Sequence, residues 1–112
     1  MRVLEFVVDK QIIKRNKDCD FSNIVAGTSG YLKAKFIFSK DDWNVDIKIA
    51  SFWVDGAEYA VRLDSFDSCY IPQEALLGDK FYISVLGSNG KDYLITTNRF
   101  KVTQEVLWYG YC

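Results

Sequence analysis

The sequence predicts an all-β sandwich of antiparallel sheets with one short helical turn, and three observations support this prediction. Apolar and polar residues alternate at period two in several segments, which is the pattern of strands with one buried face. Turn signals such as Asp55-Gly56 separate these segments at spacings of roughly 8 to 12 residues, as in a sandwich. Aromatic residues make up 16% of the 112 residues, which suits sheets whose inner faces interdigitate.

The predicted strands, in order along the chain, cover residues 3–8, 11–14, 31–39, 46–54, 57–64, 68–71, 81–86, 92–97 and 100–104. The first two flank a tight turn at Asp9-Lys10. The polar residues 16–20 are expected to be loop, and the apolar patch 21–26 ends at a glycine turn over 27–30. The strongest strand follows, because four of its apolar side chains share one face: Leu32, Ala34, Phe36 and Phe38.

The second half of the chain is organised by turns and one helical turn. Asp55-Gly56 suits the two positive φ angles of a type I′ turn, so it joins the fourth and fifth strands. Pro72 is expected at the first helical position, before a short run of helix formers that ends at Gly78. Ser88-Asn89-Gly90 joins the seventh and eighth strands. We expect the sandwich domain to span residues 1–105, with an apolar tail over 106–112.

Composition favours binding over catalysis. The chain has no histidine, which is the commonest general base, metal ligand and pH switch. The net charge of -1 gives no attraction to nucleic acid or to an anionic membrane surface. The N-terminal residues are expected to form a strand and not a signal peptide, and no apolar run is long enough for a membrane helix. We therefore expect no enzyme activity, no cofactor, no nucleic-acid partner, no membrane partner and a start in the cytoplasm.

The cysteines and one acidic segment are weak candidates for chemistry. Cys19 lies between Asp18 and Asp20, whose charges disfavour a reactive thiolate. Cys69 is expected to fill the core as a small apolar side chain. The spacing Asp42-x-Asn44-x-Asp46 opens like a calcium loop, but the later glycine and glutamate of that loop are missing, so a solvated acidic loop is expected. We assign no catalytic, cofactor-binding or metal residue.

Lysines beside aromatic residues on the third strand raise a second alternative. Lys33, Lys35, Phe36 and Phe38 have the composition of an RNA-binding sheet face. The glycines of that motif are absent, and Phe36 and Phe38 share the predicted inner face. Core packing of the two phenylalanines is therefore the favoured interpretation.

The tail after the last predicted strand is unusually apolar. Its four large side chains are candidates for docking onto a partner: Leu107, Trp108, Tyr109 and Tyr111. The other interpretation is that the tail extends the last strand over a sheet edge. Both interpretations remain open from the sequence.

At family level, the chain resembles an immunoglobulin-like β-sandwich module of tailed-bacteriophage structural proteins, including the N-terminal region of baseplate upper proteins. The residues that carry the resemblance are Ala50-Ser-Phe-Trp53, Glu58-Tyr-Ala-Val61-x-Leu63, Cys69-x-Ile-Pro72-x-Glu74-Ala-Leu76, Phe81-x-Ile-Ser-Val85-x-Gly87 and Ile95-Thr-Thr-Asn98. The resemblance implies a virion protein, assembled in the bacterial host cytoplasm, whose partners are other phage structural subunits or further copies of itself. Capsid decoration, head-fibre and tail or baseplate roles all fit it.

A different class of function is a carbohydrate- or host-surface-binding module. Sugar rings stack on exposed aromatic side chains, so this hypothesis needs an exposed Trp43, Trp53 or Tyr109.

Overall fold

The computed structural model describes residues 1–106 of the chain, and these residues form nine strands and one short 3₁₀ turn. In chain order the strands are β1 (Arg2–Asp9), β2 (Ile12–Arg15), β3 (Leu32–Phe38), β4 (Ile47–Val54), β5 (Ala57–Arg62), β6 (Ser68–Tyr70), β7 (Lys80–Ser88), β8 (Leu94–Thr96) and β9 (Phe100–Thr103). Each coincides with one of the nine predicted segments to within three residues at either end. The prediction of an all-β sandwich is confirmed.

The smaller sheet has the strand order β2-β1-β3-β6. Its β1–β2 and β3–β6 pairs are antiparallel, as expected. The central β1–β3 pair is parallel, with Arg2 opposite Leu32 and Val8 opposite Phe38. This pair differs from the antiparallel expectation, because alternation at period two gives the face of each side chain but not the direction of the neighbouring strand.

The larger sheet has the strand order β5-β4-β7-β8, and β9 also pairs with β7. All of its pairs are antiparallel. Strand β7 is long enough to pair with β8 at one end, over Leu86–Ser88, and with β9 at the other, over Lys80–Ile83. As a result β5 forms one edge of this sheet, while the two short strands β8 and β9 share the other.

The core lies between the two sheets and is rich in phenylalanine. The ring of Phe6 lies 5.5 Å from that of Phe36, 5.3 Å from that of Phe21 and 5.9 Å from that of Phe100. Phe52 and Phe81 of the larger sheet are fully buried. These contacts join both sheets and the loop before β3 in a single core, so the described residues fold as one unit.

The turn at Asp55-Gly56 has the predicted geometry. Asp55 has a φ of 49° and Gly56 a φ of 81°, which are the two positive angles that a type I′ turn requires. Lys10, in the β1–β2 turn, also has a positive φ of 54°. The β1–β2 turn lies at Lys10-Gln11, one residue later than predicted, and only its first residue has a positive φ, so it is not a type I′ turn. Both turns are two residues long, and this length sets the register of each hairpin.

The helical turn crosses between the sheets as predicted, but it is a 3₁₀ turn over Gln73–Leu76. Pro72 stands one residue before the turn, with an extended ψ of 142°, and not at its first helical position. Ala75 and Leu76 are fully buried. Among residues 1–106, no helix has the length and hydropathy needed to cross a membrane.

Candidate interaction surfaces

The docking residues predicted from the sequence, Leu107, Trp108, Tyr109 and Tyr111, lie outside the described residues. The residue that precedes Val106 is held by two backbone hydrogen bonds. The Glu105 backbone N–H donates to Ile24 O at 2.7 Å, and Glu105 O accepts from the Ala26 N–H at 2.8 Å. Val106 follows and is 51% exposed.

Trp43 is buried, so it cannot serve as a sugar-stacking platform. Its side chain is 1% exposed and packs on Phe38, with 5.0 Å between the ring centres. Its indole Nε1–H donates to Lys10 O at 2.8 Å. A single tryptophan in a charged loop gives no periodic signal of burial, which is why the sequence allowed an exposed ring.

Trp53 is half-buried on the outer face of the larger sheet. Its Nε1–H donates to the Ser84 hydroxyl at 3.0 Å, and the Arg99 guanidinium lies 3.6 Å from the ring centre. Such a contact between a cation and an aromatic face is favourable and holds the ring in place. One face of the Trp53 ring is therefore already occupied by Arg99.

A cleft of about 400 Å³ lies at the end of the larger sheet, beside Trp53. Three aromatic side chains and four charged ones contribute to its lining: Trp53, Tyr59, Tyr82, Asp55, Glu74, Asp79 and Lys80. Leu77, which is 63% exposed, also borders it. The cleft thus combines apolar ring surface with carboxylate groups that accept hydrogen bonds.

The outer face of the smaller sheet carries exposed apolar side chains. Val3 is 41% exposed, Ile37 is 43% exposed and Tyr70 is 48% exposed. The register places Val3, Lys33 and Tyr70 in one row across the sheet, and it places Val7 opposite Ile37. The Lys33 ammonium lies 5.1 Å from the centre of the Tyr70 ring. We call these four apolar residues, Val3, Val7, Ile37 and Tyr70, the apolar face.

The β5 edge of the larger sheet is open. Strand β5 pairs with β4 on one side, and on the other side the described part of the chain places no strand. The remaining edges are shorter or covered. The backbone of β2 is tied to Asn98, whose Oδ1 accepts from the Ile13 N–H at 2.9 Å and whose N–H donates to Gln11 O at 2.9 Å.

The residues 16–23 cover the edge of β1 where β2 does not reach. The Asn16 N–H donates to Glu5 O at 2.9 Å, and the Glu5 N–H donates to the Cys19 Sγ at 3.4 Å. The Arg2 guanidinium donates to the carbonyl oxygens of Asp20, Ser22 and Asn23. Cys19 therefore has a structural position beside β1.

Two other sequence interpretations concern the core. Cys69 is 6% exposed and packs in the core as predicted, and burial, with Asp64 nearby, raises the pKa of its thiol to about 12. Phe36 is 2% exposed and Phe38 packs against the core, so the core interpretation of the third strand is confirmed.

In the predicted acidic loop, Asp42 O accepts a hydrogen bond from the Tyr93 hydroxyl at 2.7 Å. Within residues 1–106, no three His, Cys, Asp or Glu side chains are grouped as metal ligands.

Neither the apolar face nor the β5 edge was predicted from the sequence. A signal for the apolar face was present, because Val3, Val7 and Ile37 occupy positions that alternate with the core residues of β1 and β3. The edge has no such signal, since the order of strands in a sheet depends on pairings between distant segments.

The chain matches no protein-family model, no curated protein and no solved structure in the comparisons with known proteins.

Proposed function

We propose that this protein is a structural or assembly component of a bacteriophage virion and that it acts through protein–protein contacts. The observation that supports this best is the apolar face. Isolated apolar side chains are ordinary on a protein surface, but a group of them on one sheet face is typical of an interface. The family-level resemblance supplies the virion context, in which auxiliary capsid, head-fibre and tail or baseplate positions all fit.

The chemistry of the apolar face suits another protein subunit. Val3 and Ile37 offer aliphatic surface, and Tyr70 offers an aromatic ring with a polar tip. Lys33 lies between Val3 and Tyr70, and the Glu5–Lys35 pair separates that row from Val7 and Ile37, so the surface mixes apolar and charged groups as protein interfaces do. Burying an exposed isoleucine on assembly contributes roughly 1.5 to 3 kcal/mol. In this proposal the protein has no enzyme activity and no cofactor, it binds neither nucleic acid nor membrane, and it is assembled into particles in the bacterial cytoplasm.

The test is whether the protein is part of the particle. Purified, nuclease-treated virions of the phage that encodes the chain are analysed by quantitative mass spectrometry, and the protein is located by cryo-electron microscopy. We expect a fixed copy number per particle at a symmetric position. A protein that is abundant in the infected cell but lost from purified particles would contradict the proposal.

A paired substitution tests the apolar face itself. Val3→Thr with Ile37→Thr keeps the β-branched shape of both strand residues while removing apolar surface. When the variant is supplied to a phage that lacks its own copy of the gene, we expect incorporation to fall at least about tenfold, since about 1.4 kcal/mol corresponds to that factor. Phe66→Thr is the matched control, because Phe66 is 75% exposed but lies in the loop before β6.

The cleft beside Trp53 favours a second candidate function, a carbohydrate- or host-surface-binding module. Tyr82 and Trp53 are neighbours across β4 and β7, and Glu74 and Asp79 supply acceptors for sugar hydroxyls. A glycan array tests this function with Tyr82→Ala as the variant and Tyr31→Ala, an exposed tyrosine outside the cleft, as the control. Binding that is lost only in Tyr82→Ala would support this function, and an array without signal would contradict it.

A further inference from the structure

We infer that two copies of this chain pair through the β5 edge, antiparallel and about a twofold axis at Ala60, so that the larger sheets of both copies join into one. The hydrogen bonds between β4 and β5 determine in which direction the free backbone groups of β5 point. The Leu63 N–H donates to Lys48 O at 2.9 Å, which marks the bonded positions of the β4–β5 ladder. Bonded and non-bonded positions alternate in an antiparallel pair, so the backbone N–H and C=O groups of Glu58, Ala60 and Arg62 point away from β4.

These three residues form an edge with no covering group in the described part of the chain. Their backbone N–H and C=O groups have no hydrogen-bond partner among residues 1–106. An open edge of this length is a template for another strand, and natural proteins usually protect such edges with proline, with charged side chains or with a cover. Strand β5 has no proline, and its two charged side chains are of opposite sign, so they do not repel a second copy.

The side chains identify the partner strand as a second copy of β5. Glu58 and Arg62 lie on the same outer face, four residues apart. That spacing is about 13 Å along a strand, too far for an ion pair within one chain. When β5 pairs with its own copy about Ala60, Glu58 of each copy stands opposite Arg62 of the other. The same charges thus form two ion pairs between copies. Both side chains are exposed, and the Glu58 carboxylate, whose Oε2 accepts from the Ser51 hydroxyl, has Oε1 for the Arg62 guanidinium of the second copy.

The other positions of the pairing are also compatible. Ala60 meets Ala60 at the twofold axis, where a small side chain lets the two strands approach. On the inner face, Tyr59 stands opposite Val61 of the second copy, which is a favourable aromatic and β-branched pair across strands. The pairing supplies about six backbone hydrogen bonds. A twofold arrangement uses the same edge on both copies and closes, so it gives a dimer and not a fibre.

This dimer makes a second copy of the chain one of the partners in the proposed function. It can be tested on purified protein without any phage. Sedimentation velocity over a concentration series gives the dissociation constant. Glu58→Arg and Arg62→Glu each replace two attractive contacts with two repulsive ones, so we expect each to weaken the dimer at least about tenfold. Lys91→Glu is the control, because it reverses an exposed charge in the β7–β8 loop and should leave the constant unchanged.

Mixing the two variants is the decisive experiment. A Glu58→Arg chain carries two positive edge charges and an Arg62→Glu chain carries two negative ones, so an equimolar mixture should form heterodimers although neither variant dimerises well alone. The double variant Glu58→Arg/Arg62→Glu should dimerise like the original protein. Circular dichroism melts of each variant verify that the sandwich is folded, since Glu58 also accepts a hydrogen bond from the Ser51 hydroxyl.

Backbone pairing has its own readout. Ala60→Pro removes an N–H that points away from β4, so the fold is retained while pairing is blocked. In hydrogen-exchange NMR, the amides of Glu58, Ala60 and Arg62 should be protected only at concentrations where the dimer forms. A protein that is monomeric up to about 1 mM, or a dimer that Ala60→Pro and the charge variants leave intact, would overturn the inference. Either result would leave the virion proposal standing, because that proposal depends on the particle.

Discussion

The contact between Trp43 and Gly87 shows how one residue without a side chain makes room for a large one. A Cβ atom at position 87 would lie 2.7 Å from Trp43 Cζ3 and 2.8 Å from Cε3, both inside the closest approach of carbon atoms. The indole is itself fixed by its hydrogen bond to Lys10 O. Burial of Trp43 therefore depends on a glycine that lies 44 positions away, and no local pattern in the sequence reveals that pairing.

Gly87→Ala should destabilise the fold by about 1 to 3 kcal/mol, because the core must shift to accept the methyl group. Urea denaturation followed by tryptophan fluorescence measures the free energy of unfolding. Gly78→Ala is the matched control, since nothing lies within 4 Å of a Cβ at that position. Equal stability of the two variants would mean that Trp43 can move away from Gly87 without cost.

Cys69 gives the protein a pH dependence in the alkaline range. Burial raises the pKa of its thiol from an ordinary value of 9.0 to about 12. Below pH 9 the thiol is protonated in both states, so it contributes no pH dependence. Between pH 9 and 12 only the unfolded chain releases the proton, so the free energy of unfolding falls by up to about 1.4 kcal/mol per pH unit.

We expect the original protein to lose more stability between pH 8.5 and 10.5, by about 1 to 2 kcal/mol, than Cys69→Ala loses over the same interval. Urea denaturation at both pH values gives the two differences. The comparison of the two proteins cancels the contribution of every other ionisable group. The same slope in both proteins would show that Cys69 ionises as easily in the folded state as in the unfolded one.

Among the elements, the hairpins were the most predictable and the strand pairings between distant segments the least. Asp55-Gly56 lies between two alternating runs, and a two-residue turn leaves one choice of register. The parallel β1–β3 pair joins strands separated by the residues 10–31, and alternation is the same in parallel and antiparallel strands. Local sequence patterns therefore predict each strand and turn. The order and direction of the strands in a sheet depend on how distant segments pack together in the core, so local patterns do not predict them.

Gly56→Val is expected to lower the free energy of unfolding by about 1 to 3 kcal/mol, because a β-branched residue is strained at a φ of 81°. No atom outside the adjacent residues lies within 4 Å of a Cβ at this position, so the cost comes from the backbone conformation and not from a clash with the rest of the fold. Asp55→Gly is the control, since glycine adopts the φ of 49° without strain. Thermal melts compare the variants, and an unchanged midpoint for Gly56→Val would rule out the turn as a stability determinant.

At the scale of the whole molecule, the described residues leave two kinds of surface unused by the fold. The apolar face lies on the smaller sheet and the open β5 edge lies on the larger one, so a dimer formed through β5 leaves both apolar faces free. Alternation in β1 and β3 could have revealed the first surface. The open β5 edge could not be predicted from the sequence. Strand β5 is an edge because β4 pairs with β7 on its other side, and β7 is distant in the sequence.

The tail after Glu105 tests whether assembly contacts are separable from folding. The last described backbone hydrogen bonds are those of Glu105 with Ile24 and Ala26, and Val106 after them is 51% exposed, so we expect the sandwich to fold without residues 106–112. Truncation after Glu105 should leave the melting midpoint within about 2 °C of the original. The β5 dimer should persist in sedimentation, while incorporation into particles is lost if Leu107, Trp108, Tyr109 and Tyr111 dock onto a partner. A truncated chain that fails to fold would assign the tail to the intramolecular core, and one that is incorporated normally would remove its docking role.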